Sequence, residues 1–194
     1  LYCLTRNGKE NSNVTYITYD LEQEEIGPLL KTINPEVIIS CTRGDYGAQL
    51  KVHEAIALYA SHNDTQTIYF STANVFDGRP EKSMDESDEP KAISDYGQFK
   101  LDCENTLLRH KLLNLTIIRL PMVFGKKSPR VTEMMEAMAH TREISVYKNL
   151  YLTTVLDTTI AKFVDRLLSK NIRGIVHLAS SDTINHFDFY NEIL

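Results

Sequence analysis

Three short, continuously apolar runs constrain the fold most: Val37–Ser40, Thr67–Ser71 and Leu115–Arg119. A strand with one wet face alternates apolar and polar residues, whereas an unbroken run suits a strand covered on both faces, as inside a parallel sheet. Parallel neighbours need a crossover connection, usually a helix. The intervening segments supply it. Apolar residues recur at helical spacing over 48–61, and further helices are expected over 22–33, closed by Asn34-Pro35, and over 95–110. Asp95 with Gln98 three residues on reads as a capping box that starts the last of these. Leu1–Leu4, closed by the turn Thr5–Gly8, and Val14–Tyr19 read as two further strands. The alternation implies an α/β fold, a doubly wound parallel sheet.

Beyond Gly125 the rhythm loosens. A helix near 131–139, a strand-like stretch over 144–155, a helix over 157–168 and a short strand at Gly174–Leu178 suggest a smaller lobe beginning near Lys126. The expected division is residues 1–125 and 126–194. A chain of 194 residues can bury a sizeable core without a metal or disulfide staple.

Net charge −5, without a concentrated basic run, argues against a nucleic-acid partner or a polybasic membrane anchor. No apolar run approaches the roughly 20 residues of a membrane span. Cys3, Cys41 and Cys103 are odd in number and widely spaced, which fits a reducing, cytoplasmic setting. The six histidines show no ligand spacing, and Met134, Met135 and Met138 fit packing better than a cofactor box. After the turn Asp77–Pro80, the acidic loop 81–90, with Asp85, Glu86, Asp88 and Glu89, reads as a solvated excursion and not a cation site.

Two features carry chemistry. Tyr96 and Lys100 stand four apart at the start of a helix, hence on one face, one turn apart. A phenol with pKa near 10 is a poor acid–base catalyst at neutral pH, and an ammonium one turn away favours the phenolate. The second feature is Ser71-Thr72, hydroxyl residues ending a strand, 24 residues before Tyr96. Open α/β sheets bind ligands at the carboxyl ends of their strands, so the two features could meet over one ligand.

Ser71-Thr72-x-x-Val75-Phe76-Asp77-Gly78 and Tyr96-Gly97-x-x-Lys100-Leu101-x-x-Glu104 resemble the extended short-chain dehydrogenase/reductases that act on nucleotide-sugars. The likeness is strongest to the dTDP-4-dehydrorhamnose reductase group. Ile117-Ile118-Arg119, Val123-Phe124-Gly125 and Gly174–Ala179 extend it along the chain. The resemblance implies a Rossmann-like domain, a nicotinamide cofactor and reduction of a nucleotide-linked 4-keto sugar. Tyr96 would give its proton to the developing alkoxide, Lys100 would lower the Tyr96 pKa and hold the nicotinamide ribose, and Thr72 would fix the substrate oxygen. Arg6, Asp20, Leu21, Cys41, Thr42 and Pro121 would line the cofactor, with Tyr96 and Lys100. Asn74 and Met122 would join Thr72 at the substrate. Arg6 could meet a ribose 2′-phosphate, which favours NADP over NAD.

The match has departures. Ala73-Asn74 stands where 4,6-dehydratases place an Asp-Glu pair, which disfavours dehydration. Met122 stands where dehydrorhamnose reductases carry Trp, and the chain contains no Trp. The family's Gly-x-x-Gly-x-x-Gly turn has no counterpart here, so the first strand, Gly turn and first helix are expected to be missing and the C-terminal lobe incomplete. Two alternatives stay open: an NAD-dependent epimerase of the same family, and a non-catalytic subunit binding a sugar-nucleotide or dinucleotide. The resemblance implies a homodimer through the helices at 48–61 and 95–110, where Leu58, Tyr59, Leu107 and Leu108 could lie on the outer faces or equally pack on the sheet.

Overall fold

A computed structural model describes residues 1–7, 13–79, 83–125, 128–140 and 142–193. Gly8, Pro80 and Lys126 lie outside the described residues. The order begins β1 (Tyr2–Thr5), β2 (Thr15–Thr18), α1 (Ile26–Ile33), β3 (Val37–Ser40), α2 (Tyr46–Asn63) and β4 (Gln66–Thr72). A 3₁₀ turn (Ala73–Phe76), α3 (Asp95–Arg109), β5 (Leu115–Leu120), β6 (Met122–Phe124) and α4 (Pro129–His140) follow. The chain continues through β7 (Tyr151–Leu152), β8 (Thr154–Leu156), α5 (Asp157–Lys170), β9 (Gly174–His177), β10 (Ile184–Asn185) and α6 (His186–Ile193). Four strands form a sheet in the order β3-β4-β5-β9, with β3-β4 and β5-β9 parallel. The expected α/β architecture with buried parallel strands is present.

Contacts divide the chain into two compact units, Leu1–Tyr69 with Phe99–Leu115, and Phe70–Gln98 with Thr116–Leu194. In the first, β1 and β2 pair in parallel from Tyr2↔Thr15 to Thr5↔Thr18. Tyr19, Ile26, Leu30, Val52 and Ile56 form a buried core against which Leu4, Ile38 and Tyr59 pack. Helix α1 starts at Ile26, later than the spacing suggested. Residues 20–25 instead form a turn in which the Glu24 carboxylate accepts from Asp20 N at 3.0 Å. Asn34 ends α1 in the left-handed conformation, φ 47°, as a helix C-terminal Asn can. The Tyr59 hydroxyl donates to its side chain at 2.9 Å.

Strand β3 departs from the sequence reading. Ser40 is buried and Ile38 packs on the core, but Val37 and Ile39 are 36% and 43% exposed. The run is therefore covered on one face only. The four apolar residues left open between outer face and sheet divide evenly: Leu107 is buried and Tyr59 faces the core, while Leu58 and Leu108 are exposed.

His53, fully buried on α2, shows how a polar group is accommodated in this unit. Its Nδ1 lies 2.7 Å from the Gln49 carbonyl oxygen, which can only accept, so Nδ1 carries the proton. Nε2 then accepts from the Ser40 hydroxyl at 2.9 Å. Burial favours this neutral ring and lowers the pKa to about 4.

In the second unit β5 and β9 run in register from Thr116↔Gly174 to Arg119↔His177, and Ile117 and Ile118 are fully buried. β6 pairs in parallel with β8, and β7 pairs antiparallel with β10. The expected strand over 144–155 reduces to β7 and β8; residues 142–147 join no ladder, and Lys148 and Asn149 form a turn before β7. Of the three methionines on α4, Met134 is buried, whereas Met135 and Met138 are exposed. The acidic loop is anchored: Glu86 Oε1 accepts from His177 N at 2.8 Å, and this bond holds the Glu86 pKa below its ordinary value.

Below pH 6.5 the unfolded chain protonates His53 while the folded chain resists until about pH 4. The stability supplied by the neutral ring is present above 6.5 and lost on acidification. Urea unfolding should show this contribution falling by about 2 kcal/mol between pH 7 and 4.5. His53→Gln should remove that part of the pH dependence.

Candidate active site

The candidate residues fall into two groups, one in each unit. In the second unit, Thr72 ends β4 and caps the 3₁₀ turn that follows. Its Oγ1 accepts from Asn74 N and donates to Asn74 Oδ1, both at 3.2 Å. Thr72 is buried and Asn74 is exposed, so a hydroxyl–amide pair stands at the carboxyl end of the strand.

Asp77 ties this turn to the start of α3. One carboxylate oxygen accepts from Ile93 N at 2.6 Å and from Ser94 N at 3.4 Å. The other accepts from the Ser94 hydroxyl. Ser94 Oγ in turn accepts from Gly97 N at 3.0 Å, the third residue of the helix. The helix cap is thus Ser94, one residue before the start that Asp95 and Gln98 suggested. Gly78 N donates to Lys91 O at 2.8 Å, closing the same loop at its base.

Gly97 is required by this closeness. A Cβ there would collide with the Asn74 carbonyl oxygen and lie 3.0 Å from both Asp77 Oδ2 and Ser94 Oγ. Tyr96, beside it, is 44% exposed. The turn bearing Thr72 and Asn74 and the first turn of α3 bearing Tyr96 are therefore packed backbone to backbone. Sequence reasoning identified Thr72, Asn74 and Tyr96 but missed Asp77, Ser94 and Gly97 as the residues holding them. The signal was present in Asp77-Gly78 and in Ser94 three residues before Gly97.

In the first unit, Lys100 is buried on the same continuous helix α3, four residues past Tyr96. Its Nζ sits 4.3 Å from the centre of the Tyr69 ring, a cation–π contact. Neighbouring Phe99 stacks on Tyr46 with ring centres 4.1 Å apart. Burial lowers the Lys100 pKa to about 8, opposed by Cys103, Glu104 and Cys41. At neutral pH the group is then still mostly the ammonium. Burial also raises the Cys41 thiol pKa.

The other expected cofactor residues sit at the carboxyl ends of β1, β2 and β3. Thr42 Oγ1 donates to Gln49 Oε1 at 3.0 Å, and Gln49 Nε2 donates to Gly44 O at 2.8 Å. Arg6 Nε donates to Asp20 Oδ1 at 3.2 Å. Its other end pairs with Glu22, which the sequence reading did not single out. Leu21 lies at the same place, its Cδ1 3.6 Å from where a Gly44 Cβ would sit. Met122, in β6, and Pro121, just before it, belong to the second unit and are partly buried. Carboxylates that can accept from ribose hydroxyls and a buried lysine that can donate suit a ribose-bearing dinucleotide. Among the described residues no cluster of His, Cys, Asp and Glu could hold a metal ion.

The fold and these strand-end groups define a Rossmann-like α/β protein. Residues 21–194 match the family model described as the RmlD substrate binding domain, and the chain belongs to that family. Methionine adenosyltransferase 2 subunit beta of Danio rerio is 24% identical over 188 residues, 87% of this chain and 58% of that protein. The chain thus spans little more than half of that relative. The crystal structure of a dTDP-4-dehydrorhamnose reductase from Clostridium acetobutylicum superposes with TM-score 0.81 at 21% identity, covering 99% of this chain and 78% of the other. The Bacillus anthracis dTDP-4-dehydrorhamnose reductase in complex with NADP gives TM-score 0.78 at 20% identity, covering 93% and 71%.

Two variants test the site. Gly97→Ala should destabilise the protein by about 1–3 kcal/mol, because backbone and not a mobile side chain blocks the new methyl. Chemical denaturation measures it. Lys100 is neutralised earlier in the folded chain than in the unfolded one, so the unfolded state binds more protons between pH 8 and 10.5. Lys100 therefore costs stability fully below pH 8, and the cost is relieved as pH rises to 10.5. Lys100→Met should raise stability at pH 7 and flatten that rise.

Proposed function

We propose that this chain carries the catalytic and part of the cofactor-binding face of an NAD(P)-dependent reductase of a nucleotide-linked 4-keto sugar. The observation that supports it is the packing of the Thr72–Asn74 turn against the Tyr96 end of α3, fixed by Asp77, Ser94 and Gly97. A hydroxyl donor at a strand end and an exposed phenol on an adjacent helix are what proton delivery to a developing alkoxide needs. Family membership and the reductase structures that share the fold point the same way.

A bound nicotinamide would supply hydride to the keto carbon. Thr72 would hydrogen-bond the substrate oxygen through the hydroxyl it now shares with Asn74. Tyr96 would deliver the proton as charge develops on that oxygen. Lys100, one helical turn along α3, would favour the phenolate and hold the ribose. Its buried setting matters for that role: a positive charge held away from solvent acts more strongly on a phenol one turn away. Arg6, Asp20, Leu21, Cys41, Thr42 and Pro121 would contact the cofactor, and Met122 the sugar.

A second reading is favoured by one observation. The relative from Danio rerio is named as a subunit of a methionine adenosyltransferase. A binding subunit would keep the dinucleotide and lose turnover. Among the described residues no helix is long and apolar enough to cross a membrane.

The two readings separate in one assay. NADH or NADPH is mixed with a dTDP-linked 4-keto sugar and oxidation is followed at 340 nm. Turnover that falls about 10²–10⁴-fold in Tyr96→Phe, with cofactor affinity retained, is the reductase result. Binding without oxidation in the unmodified protein would favour the subunit.

A further inference from the structure

Against the Thr72 turn stand two side chains that the proposed proton transfer does not use. Arg119 of β5 and His177 of β9 are paired in register, and both reach Phe76, the last residue of the 3₁₀ turn. Arg119 is buried, and its guanidinium carbon lies 4.9 Å from the centre of the Phe76 ring, a cation–π contact. His177 meets the same ring in a T-shaped arrangement, with centres 5.7 Å apart and planes at 68°. Arg119 Nη1 lies 3.5 Å from His177 Nε2, and because a guanidinium only donates, Nε2 is the acceptor. The backbones are tied as well: Leu178 N donates to Arg119 O at 3.2 Å, and His177 N donates to Glu86 Oε1 at 2.8 Å. A buried guanidinium is a costly way to fill space, since an apolar side chain of similar volume needs no desolvation of charge. What it adds is a rigid group of fixed direction, and here that group meets the Phe76 ring.

We infer that Arg119 is a positioning residue for Thr72, acting through Phe76. The inference rests on the reductase reading above and deepens it. Thr72 caps the short turn and Phe76 is its last residue, so the two are its opposite ends. Asp77 N donates to Asn74 O at 3.2 Å and Arg79 N to Phe76 O at 2.8 Å, which leaves the turn little internal freedom. A displaced Phe76 ring therefore carries the turn with it, and the Thr72 hydroxyl as well. Asp77, Ser94 and Gly97 hold this turn from the side of α3. Arg119 and His177, gripping Phe76, hold it from the side of the sheet. A catalytic group misplaced by about 1 Å can cost about 10²-fold in rate, so the second anchor is felt in turnover.

The experiment measures oxidation of NADH or NADPH with a dTDP-linked 4-keto sugar in the full chain and its variants. Arg119→Met should lower kcat about 10–100-fold with both KM values within about twofold, because volume is kept while direction is lost. Arg119→Lys keeps a cation over the ring and should recover part of that loss. Phe76→Leu should lower kcat by a similar factor, and the double variant Arg119→Met/Phe76→Leu should be no slower than the slower single one. Rates are expressed per folded molecule, counted by urea unfolding and circular dichroism. An unchanged kcat in Arg119→Met, or losses that multiply in the double variant, overturns the inference. Should Arg119→Met fail to fold, Arg119→Lys carries the test through the Thr72 methyl resonance of threonine-labelled protein, assigned with Thr72→Val. That resonance should shift in Arg119→Lys and stay in place in Arg109→Lys, whose side chain is exposed. An unshifted resonance in Arg119→Lys overturns the inference. Absence of turnover in the unmodified protein overturns the reductase reading instead, and the resonance then decides alone whether Arg119 positions Thr72.

Discussion

The Asp77 carboxylate is the interaction on which the second unit's site depends. It accepts from two backbone N–H groups and one hydroxyl across a sequence gap of 16 and 17 residues. Charge-assisted bonds of this kind are stronger than neutral ones, and three on one carboxylate define its geometry closely. Because Ser94 caps α3 and is itself held by Asp77, the direction in which the helix leaves the loop is set by the turn after β4. The glycine at 97 then lets the two backbones touch. Remove the carboxylate and the Thr72 turn and the Tyr96 turn become two neighbours without a common frame.

The first unit handles its charges in the opposite way. Lys100 is buried over an aromatic ring and its pKa is lowered to about 8, while Arg6 stays at the surface and keeps its charge between two acids. Desolvation governs the first and local pairing the second.

Much of the fold was legible in the sequence because apolar runs and helical spacing report burial directly. The strands at 37–40, 115–119 and 174–178 and the helices at 46–63, 95–109 and 157–170 stand close to where pattern placed them. What failed depended on tertiary partners. The β3 run looks buried on both faces, yet continuity of Val37-Ile38-Ile39 cannot tell how many faces find a neighbour. The late start of α1 follows from Asp20, Glu22 and Glu24 each taking a partner in a turn, although as isolated residues they suit a helix first turn. Among the candidate site residues, Thr72, Tyr96 and Lys100 stand out in the sequence through their motif. Glu22 and Glu86 were invisible because their partners, Arg6 and His177 N, lie 16 and 91 residues away. A charged surface residue gives no local sign that it is spoken for.

The staple at the base of the loop, Gly78 N to Lys91 O, has an evolutionary consequence. It sits directly outside the Asp77 bonds, so the chain between them is a closed excursion whose ends are already determined. The entropy of closing such an excursion grows only slowly, by about 0.6 kcal/mol for each doubling of length. Segments of different size and composition can therefore be exchanged there with little effect on where Tyr96 points. The loop is a place where a lineage could acquire new contacts while the helix that bears Tyr96 stays where it is.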